Sequence, residues 1–108
     1  ITNNGNARTR AKVTITAGAG GIVANDIKIQ NQTTGQLFQY TAAVAASKAV
    51  VVNNRVDSTD LSVLNDGVDD IAKFEGDFID LDPGANTIVF TSLATLPLVK
   101  VEHRDANY

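Results

Sequence analysis

The sequence of 108 residues contains no cysteine, no methionine and no tryptophan. Without cysteine the chain can form no disulfide, no zinc–thiolate site and no cysteine nucleophile. Nucleophilic triads usually need a histidine as general base, and a zinc site needs several histidine or cysteine ligands. The chain has a single histidine, His103, which we interpret as a surface residue without a role. We therefore predict no catalytic residue, no cofactor-binding residue and no metal ligand.

Aromatic residues are also scarce, at 6 % of the chain. Carboxylates are numerous enough for a glycoside hydrolase, but the paired carboxylates of such enzymes normally sit in a cleft with aromatic walls. The same scarcity weakens a carbohydrate-binding interpretation, because sugars stack on exposed aromatic rings. Phe78 and Phe90 lie in strand patterns and are expected in the core. Tyr40 and Tyr108 remain the candidates for a stacking platform that contacts a glycan or a partner.

Long apolar runs are missing too. No segment approaches the roughly 20 apolar residues of a membrane helix, so we predict no membrane partner. The length suits one domain, 1–108, and the 44 % hydrophobic content suits a globular core. The first residue is Ile1 rather than methionine. We expect a domain excised from a longer protein.

The net charge of −3 conceals an uneven distribution. The stretch 57–82 carries nine acids and one base, whereas the rest of the chain carries eight bases and three acids. Phosphate binding needs a sustained basic face, so nucleic acid is a poor partner for this chain and we predict none. Solvated loops are the plain interpretation of the acidic stretch. The alternatives are a docking face for a basic partner and a calcium site at 66–70, although that segment does not match the twelve-residue calcium loop.

Alternation of apolar and polar residues dominates the chain and predicts strands with one buried face. The clearest strands are expected at 12–16, 26–30, 86–91 and 98–102, with shorter ones at 37–40, 50–52, 61–64 and 78–81. Short strands at this spacing predict an all-β fold, an antiparallel β-sandwich of the jelly-roll or galectin-like kind. The alanine-rich window 41–49 has the best helical composition, but its flanking strands favour strand plus turn. Residues 68–74 could form one helical turn.

Turn residues separate these strands. Thr33-Thr34-Gly35 and Asn65-Asp66-Gly67 predict tight turns. The segment 82–86 predicts another: after Asp82, Pro83 presets φ and Gly84 accepts the left-handed position of a type II turn. Asn86 can cap this turn through its side chain. We predict fold-specifying roles for Asp82, Pro83, Gly84 and Asn86.

Several segments, taken in order, match the pattern of one family. They are Gly5-Asn6-Ala7, Asn31-Gln32-Thr33-Thr34-Gly35, the apolar triplet Val50-Val51-Val52, the stretch 78–88 with the pattern F-x-x-L-x-P-G-x-N-x-I, and Arg104-Asp105-Ala106. Together they resemble the C-terminal domain of the distal tail protein of siphovirus-type bacteriophages and related prophages. The stretch 78–88 is the most specific part. The chain departs from the family at Asn53, where a typical member has aspartate.

The resemblance implies a structural role rather than catalysis. Distal tail proteins form a ring at the tail tip, which joins the tail tube to the host-recognition apparatus. The expected partners are the tail tube, the tail hub and the receptor-binding protein. The resemblance also implies a homo-hexamer for the full-length protein, whereas we expect this chain alone to be monomeric or only weakly associated. The expected location is the virion tail tip, or the host cytoplasm during assembly from a prophage.

Overall fold

Strands account for nearly all the regular structure in the computed structural model, which describes residues 2–5, 8–54, 61–92 and 97–103. The strands are β1 (Thr2–Asn3), β2 (Thr9–Thr16), β3 (Ile27–Asn31), β4 (Gln36–Tyr40), β5 (Ala49–Asn54), β6 (Leu61–Asn65), β7 (Val68–Asp69), β8 (Phe74–Gly76), β9 (Asp80–Leu81), β10 (Gly84–Ala85), β11 (Ile88–Thr91) and β12 (Leu98–His103). One short 3-10 helix, η1 (Ile71–Lys73), separates β7 from β8. The prediction of an all-β fold is confirmed. No helix within the described ranges is long and apolar enough to cross a membrane.

Two antiparallel sheets form the body of the domain. The four-stranded sheet has the order β11-β3-β4-β8. The six-stranded sheet runs β12-β2-β5-β6-β7, and β9 also pairs with β2. A separate short ladder joins β1 to β10. This arrangement is a β-sandwich, as the strand spacing predicts.

The core lies between the inward faces of the two sheets, where the alternation predicts it. Val13 and Ile15 of β2 are buried on one side, and Ile27 and Ile29 of β3 on the other. Each such side chain contributes about 1.5–3 kcal/mol when fully buried. Among the residues that the structure describes, the other buried apolar side chains are Ala11, Ala17, Ile22, Phe38, Tyr40, Val44, Val50, Val52, Val63, Ile79 and Leu81.

The alanine-rich window 41–49 contains no helix. Val44 is instead buried, and its backbone exchanges two hydrogen bonds with Ile22, at 2.8 and 2.9 Å. Ser47 has a positive φ of 60°, which no helix accommodates. The helical preference of alanine amounts to only tenths of a kcal/mol per residue, so burial of Val44 decides the conformation.

Two further segments differ in detail from the expected pattern. Within residues 68–74 a single 3-10 turn does form, but it covers only η1 (Ile71–Lys73), and the short strands β7 and β8 flank it. Of the expected strand 78–81, only Asp80 and Leu81 pair with β2 as a ladder. Phe78 lies before that ladder and stacks on Phe74, with ring centroids 4.4 Å apart.

Each of the two sheets ends in an edge strand on either side of the sandwich. β7 and β8 are the last strands of their sheets on one side of the sandwich, and β11 and β12 are the last strands on the other. These two sides are the surfaces where the described part of each sheet ends.

Candidate functional site

The turn after β9 is closed by one buried side chain. Gly84 has a φ of 89°, the left-handed conformation that the turn requires. The Asn86 side chain accepts a hydrogen bond from the Asp82 N–H at 2.9 Å. Its amide nitrogen donates to the carbonyl oxygens of Asp82 at 2.9 Å and Gly84 at 3.0 Å. The Asn86 side chain therefore caps this reversal with three hydrogen bonds.

Asn31 ties this turn to the β3–β4 hairpin. Its side-chain nitrogen donates to the Asp80 carbonyl at 2.8 Å and to Oδ1 of Asn86 at 3.2 Å. Its Oδ1 accepts the N–H of Thr33 at 3.0 Å, and its carbonyl accepts the N–H of Gly35 at 2.8 Å. The asparagine of the N-x-T-T-G segment thus shapes its own hairpin and also binds the distant motif.

Asp80 is held by two amide side chains. Gln36 makes a pair of hydrogen bonds with it: Nε2 donates to Oδ2 at 3.0 Å, and Oε1 accepts the Asp80 N–H at 2.7 Å. Asn54 Nδ2 donates to Asp80 Oδ1 and to the carbonyl of Ile79, both at 2.9 Å. Both carboxylate oxygens therefore have partners, which offsets the loss of hydration at this half-buried position.

We call Asn31, Gln36, Asn54, Asp80 and Asn86 the amide cluster. These side chains fasten the segment 78–86 to β3, β4 and β5 through hydrogen bonds across long sequence separations. Satisfied polar networks of this kind select one packing of a core over its alternatives. The amide cluster is consistent with a role in specifying the fold.

Tyr40 lies in the core instead of on the surface. Its exposed fraction is 0 %, so no ring face is open to a sugar or a partner, and its assignment as a stacking platform needs correction. It shares a face of β4 with Phe38, and only its hydroxyl reaches polar groups: it donates to the Asp70 carboxylate and accepts from Asn65 Nδ2 at 2.9 Å. Burial raises the pKa of Tyr40 to about 12, and the hydrogen bond to Asp70 acts in the same direction.

The other aromatic candidates have mixed outcomes. Tyr108, the second predicted platform, lies outside the described residues. Phe78 and Phe90, expected in the core, are only half-buried at its margin. The carbohydrate-binding interpretation therefore loses one of its two platform residues.

The acidic stretch divides into two parts in space. Asp57 and Asp60 lie outside the described residues. Asp80 belongs to the amide cluster. Asp82 forms an ion pair with Arg8, with 2.8 Å between Asp82 Oδ1 and Arg8 Nε. Four exposed acids follow the β7–β8 side of the sandwich, and we call them the acidic edge: Asp66, Asp69, Glu75 and Asp77.

The segment 66–70 does not gather its carboxylates around one point. Asp66 approaches Lys48 at 3.8 Å, Asp69 accepts the N–H of Ile71 at 3.2 Å, and Asp70 accepts the Tyr40 hydroxyl. Within the described ranges, no three His, Asp or Glu side chains converge as a metal site would require. The acidic edge is a charged surface rather than a cage of ligands.

The opposite side of the sandwich is apolar. Ile88 and Phe90 of β11 and Val99 and Val101 of β12 line an open cavity of about 450 Å³ between the two sheets. All four side chains are partly buried and pack against the core. We call this opening the apolar groove. Edge strands with apolar side chains are surfaces on which natural proteins bind additional strands.

Comparison with known protein families decides the identity of the domain. The family described as siphovirus-type tail component, C-terminal domain, matches residues 4–106. The chain belongs to this family. No curated protein and no solved structure matches the chain significantly.

The match places the distinctive features of the fold inside the tail-component domain. The amide cluster, the acidic edge and the apolar groove all lie between residues 4 and 106. The sequence motifs that resemble the distal tail protein supply three members of the cluster, Asn31, Asp80 and Asn86. The resemblance is therefore confirmed by the family match.

Sequence reasoning missed the other members of the cluster. Asn54 follows the apolar triplet of β5 and is 7 % exposed, while its neighbour Asn53 is 6 % exposed. Asparagine at the end of an apolar strand is also common in ordinary turns. Only the burial of the Asn54 side chain therefore distinguishes a member of the amide cluster from a turn residue. The repeated asparagines at strand ends, in Asn31, Asn54 and Asn86, were the available signal.

Proposed function

We propose that this chain is the C-terminal domain of a distal tail protein, which helps to assemble the tail tip and to dock host-recognition proteins. The observation that carries the proposal is the family match, which spans residues 4–106 of the chain. A family of tail components supports a structural role, so the proposal assigns no catalytic activity. The domain would be a galectin-like module on the outside of the ring.

The geometry supports docking through the rims of the sandwich. The acidic edge offers carboxylates in solvent on one side, and the apolar groove offers partly buried side chains on the other. Electrostatic complementarity steers association and selects partners, whereas apolar burial supplies affinity. We propose that the acidic edge meets a basic surface of a neighbouring tail protein.

The proposed neighbours are the tail tube, the tail hub and the receptor-binding protein. We further propose that the full-length protein forms a homo-hexameric ring and that the isolated domain is monomeric or weakly associated. The proposal includes neither a nucleic acid nor a membrane partner. The proposed location is the virion tail tip, with the host cytoplasm as the site of assembly for a prophage.

Negative-stain imaging of phage particles tests the location. Particles from the phage that encodes this chain would be labelled with an antibody against the domain and compared with unlabelled particles. Label in a ring at the distal end of the tail supports the proposal. Label at the head, along the tail shaft or at the fibre ends alone would overturn it.

A control separates true absence from a hidden epitope. The same purified particles are denatured and probed with the same antibody on a blot. A positive blot with no label on intact tails calls for an epitope tag in the loop between β2 and β3 and a second round of imaging. A negative blot means that the domain is not a virion component, and the proposal fails.

A further inference from the structure

The outer edge of β12 has backbone groups that point away from the six-stranded sheet. Just beyond the end of β2, the Ala17 N–H donates a 2.8 Å hydrogen bond to the Lys48 carbonyl, which precedes β5. Because this pair continues the β2–β5 register, the backbone groups of the odd-numbered residues of β2 point toward β5. The backbone groups of an antiparallel strand alternate between its two neighbours. The even-numbered residues of β2 therefore bond to β12, and the register pairs Thr14 with Lys100.

This alternation fixes which residues of β12 can accept another strand. Val99 and Val101 lie opposite the odd-numbered Ile15 and Val13, so their N–H and carbonyl groups point outward. No strand within the described ranges pairs with that side of β12. The side chains of the same two valines line the apolar groove.

The opposite face of β12 carries a charge pattern that is complementary to itself. Lys100 and Glu102 flank Val101 and share the solvent-facing side of the strand, where their charged groups lie 3.8 Å apart. In an antiparallel pairing of two identical strands centred on Val101, Lys100 of each copy stands opposite Glu102 of the other. Opposite charges in directly facing positions stabilise a strand pair, and like charges destabilise it.

The neighbouring strand extends this pattern. Glu102 faces Lys12 of β2 within the sheet, so the self-pairing would place it between two lysines, one from each copy. Shifting the register by one residue turns each groove-facing valine to the other face. Shifting it by two places Lys100 opposite Lys100 or Glu102 opposite Glu102. The charges therefore favour this register over its nearest alternatives.

We propose that β12 of this chain pairs antiparallel with β12 of a second copy, with Val101 on the two-fold axis. The pairing joins two six-stranded sheets into one continuous sheet and places the second copy over the apolar groove. Two-fold interfaces of this kind use one surface patch twice, which a self-complementary strand provides. The inference goes beyond the proposed tail role and does not depend on it.

The expected association is weak in solution. One strand pair of five residues, 99–103 of each copy, buries less surface than stable interfaces of about 1,200–2,000 Å² do. The pairing is thus compatible with an isolated domain that is mostly monomeric. Neighbouring copies in a closed ring are related by its rotation axis and meet through unlike patches, so this two-fold contact would join copies from separate rings rather than neighbours in one ring.

Charge-reversal variants of β12, studied alone and as a mixture of two variants, test the pairing. The purified chain is followed by sedimentation equilibrium and by NMR shifts of the β12 amides over a concentration series. Lys100→Glu and Glu102→Lys should each weaken self-association about tenfold, because each creates like-charge pairs across the axis. An equimolar mixture of the two variants should form a heterodimer as readily as the wild-type chain forms its dimer.

Matched controls exclude effects of net charge. Lys28→Glu on β3 and Glu75→Lys on β8 make the same charge changes at exposed positions away from β12. They should leave self-association unchanged, both singly and when mixed. Loss of association in the controls, or failure of the Lys100→Glu and Glu102→Lys mixture to associate, would overturn the proposal.

A distance measurement tests the register separately. Because the chain lacks cysteine, Leu98→Cys creates a single attachment point for a nitroxide label, and Leu98 is 68 % exposed. With Val101 on the axis, residue 98 lies three positions from the axis in each copy, on opposite sides. The two labelled positions are then six residue steps apart along the strands, roughly 20 Å at about 3.3 Å per residue. A dipolar distance near this value supports the proposal, and a concentrated sample with no dipolar coupling contradicts it.

Discussion

The buried side chain of Asn31 donates a 3.2 Å hydrogen bond to Oδ1 of Asn86, which lies 55 residues later in the chain. This contact joins two of the sequence segments that resemble the distal tail family, the N-x-T-T-G turn and the stretch 78–88. It also shows why both segments carry asparagine: each amide must donate and accept at once. Alanine could fill the space but could satisfy neither neighbour.

Asn86→Ala should lower the free energy of unfolding by about 2–4 kcal/mol, because it leaves buried partners without hydrogen bonds. Urea denaturation of the purified domain measures the change. Gln39→Ala, at an exposed position of β4, is the control and should change stability by at most about 0.5 kcal/mol.

The pair should also be energetically coupled. A double-mutant cycle with Asn31→Ala and Asn86→Ala is expected to give an interaction energy of about 0.5–3 kcal/mol. Strictly additive losses would show that the two side chains act independently, contrary to their observed contact.

Three glycine-to-alanine substitutions should differ in a defined order. At Gly76 a Cβ would lie 2.3 Å from the backbone carbonyl oxygen of Leu37, and φ is 108°. At Gly84 φ is 89° but nothing lies within 4 Å, so only the backbone conformation is strained. Gly20 has open space around it and no positive φ.

Gly76→Ala should therefore lower stability by about 3 kcal/mol or more, since β4 and β8 must separate. Gly84→Ala should lower it by about 1–2 kcal/mol. Gly20→Ala should be nearly neutral. Thermal unfolding of the three variants provides the comparison, and a Gly84 variant less stable than the Gly76 variant would contradict this account of the β4–β8 contact.

Alkaline pH should destabilise the domain through Tyr40. Its pKa of about 12 in the folded chain exceeds the ordinary value of 10.0, so folding favours the neutral hydroxyl. The resulting stability is fully present below pH 10 and is lost as the pH rises toward 12 and beyond.

Tyr40→Phe isolates this contribution. The variant should be less stable at neutral pH, because the hydrogen bonds with Asp70 and Asn65 disappear, but the difference from the wild-type chain should narrow above pH 10. Urea denaturation at a series of pH values measures the difference. Parallel curves for the two proteins across this range would contradict the assignment.

Reversing charge on the acidic edge should impair docking without unfolding the domain. Asp69 and Glu75 are both exposed, so Asp69→Lys with Glu75→Lys should change stability by no more than about 1 kcal/mol in total. The engineered phage should assemble tails that retain fewer host-recognition proteins, as measured by mass spectrometry of purified particles.

A variant with positive charge placed elsewhere is the matched control. Ala19→Lys, Gln32→Lys, Ala85→Lys and Thr91→Lys together add four positive charges at exposed positions away from β7 and β8, the same change in net charge as the double reversal. It should leave the protein content of the particles unchanged. Equal losses in both engineered phages would show that net charge, rather than the acidic edge, controls docking.

The local pattern of the sequence predicted much of the fold. Alternation placed Val13 and Ile15, and Ile27 and Ile29, on buried faces, because a strand turns successive side chains to opposite sides whatever its partners are. The same rule, applied to Phe38, would have placed Tyr40 in the core with it. The left-handed conformation of Gly84 could also be predicted from the sequence, because a turn depends on only a few consecutive residues.

Local sequence patterns thus predicted the class of fold, the position of most strands and the membership of the tail-component family. Packing of the two sheets established which strands lie at the edges and which asparagines are buried. Asn31 meets Asp80 and Asn86, and Asn54 meets Asp80, only after the two sheets have packed. The physical reason is that periodicity and turn preference act between residues a few positions apart, whereas burial and hydrogen-bond satisfaction depend on partners that packing brings from far along the chain.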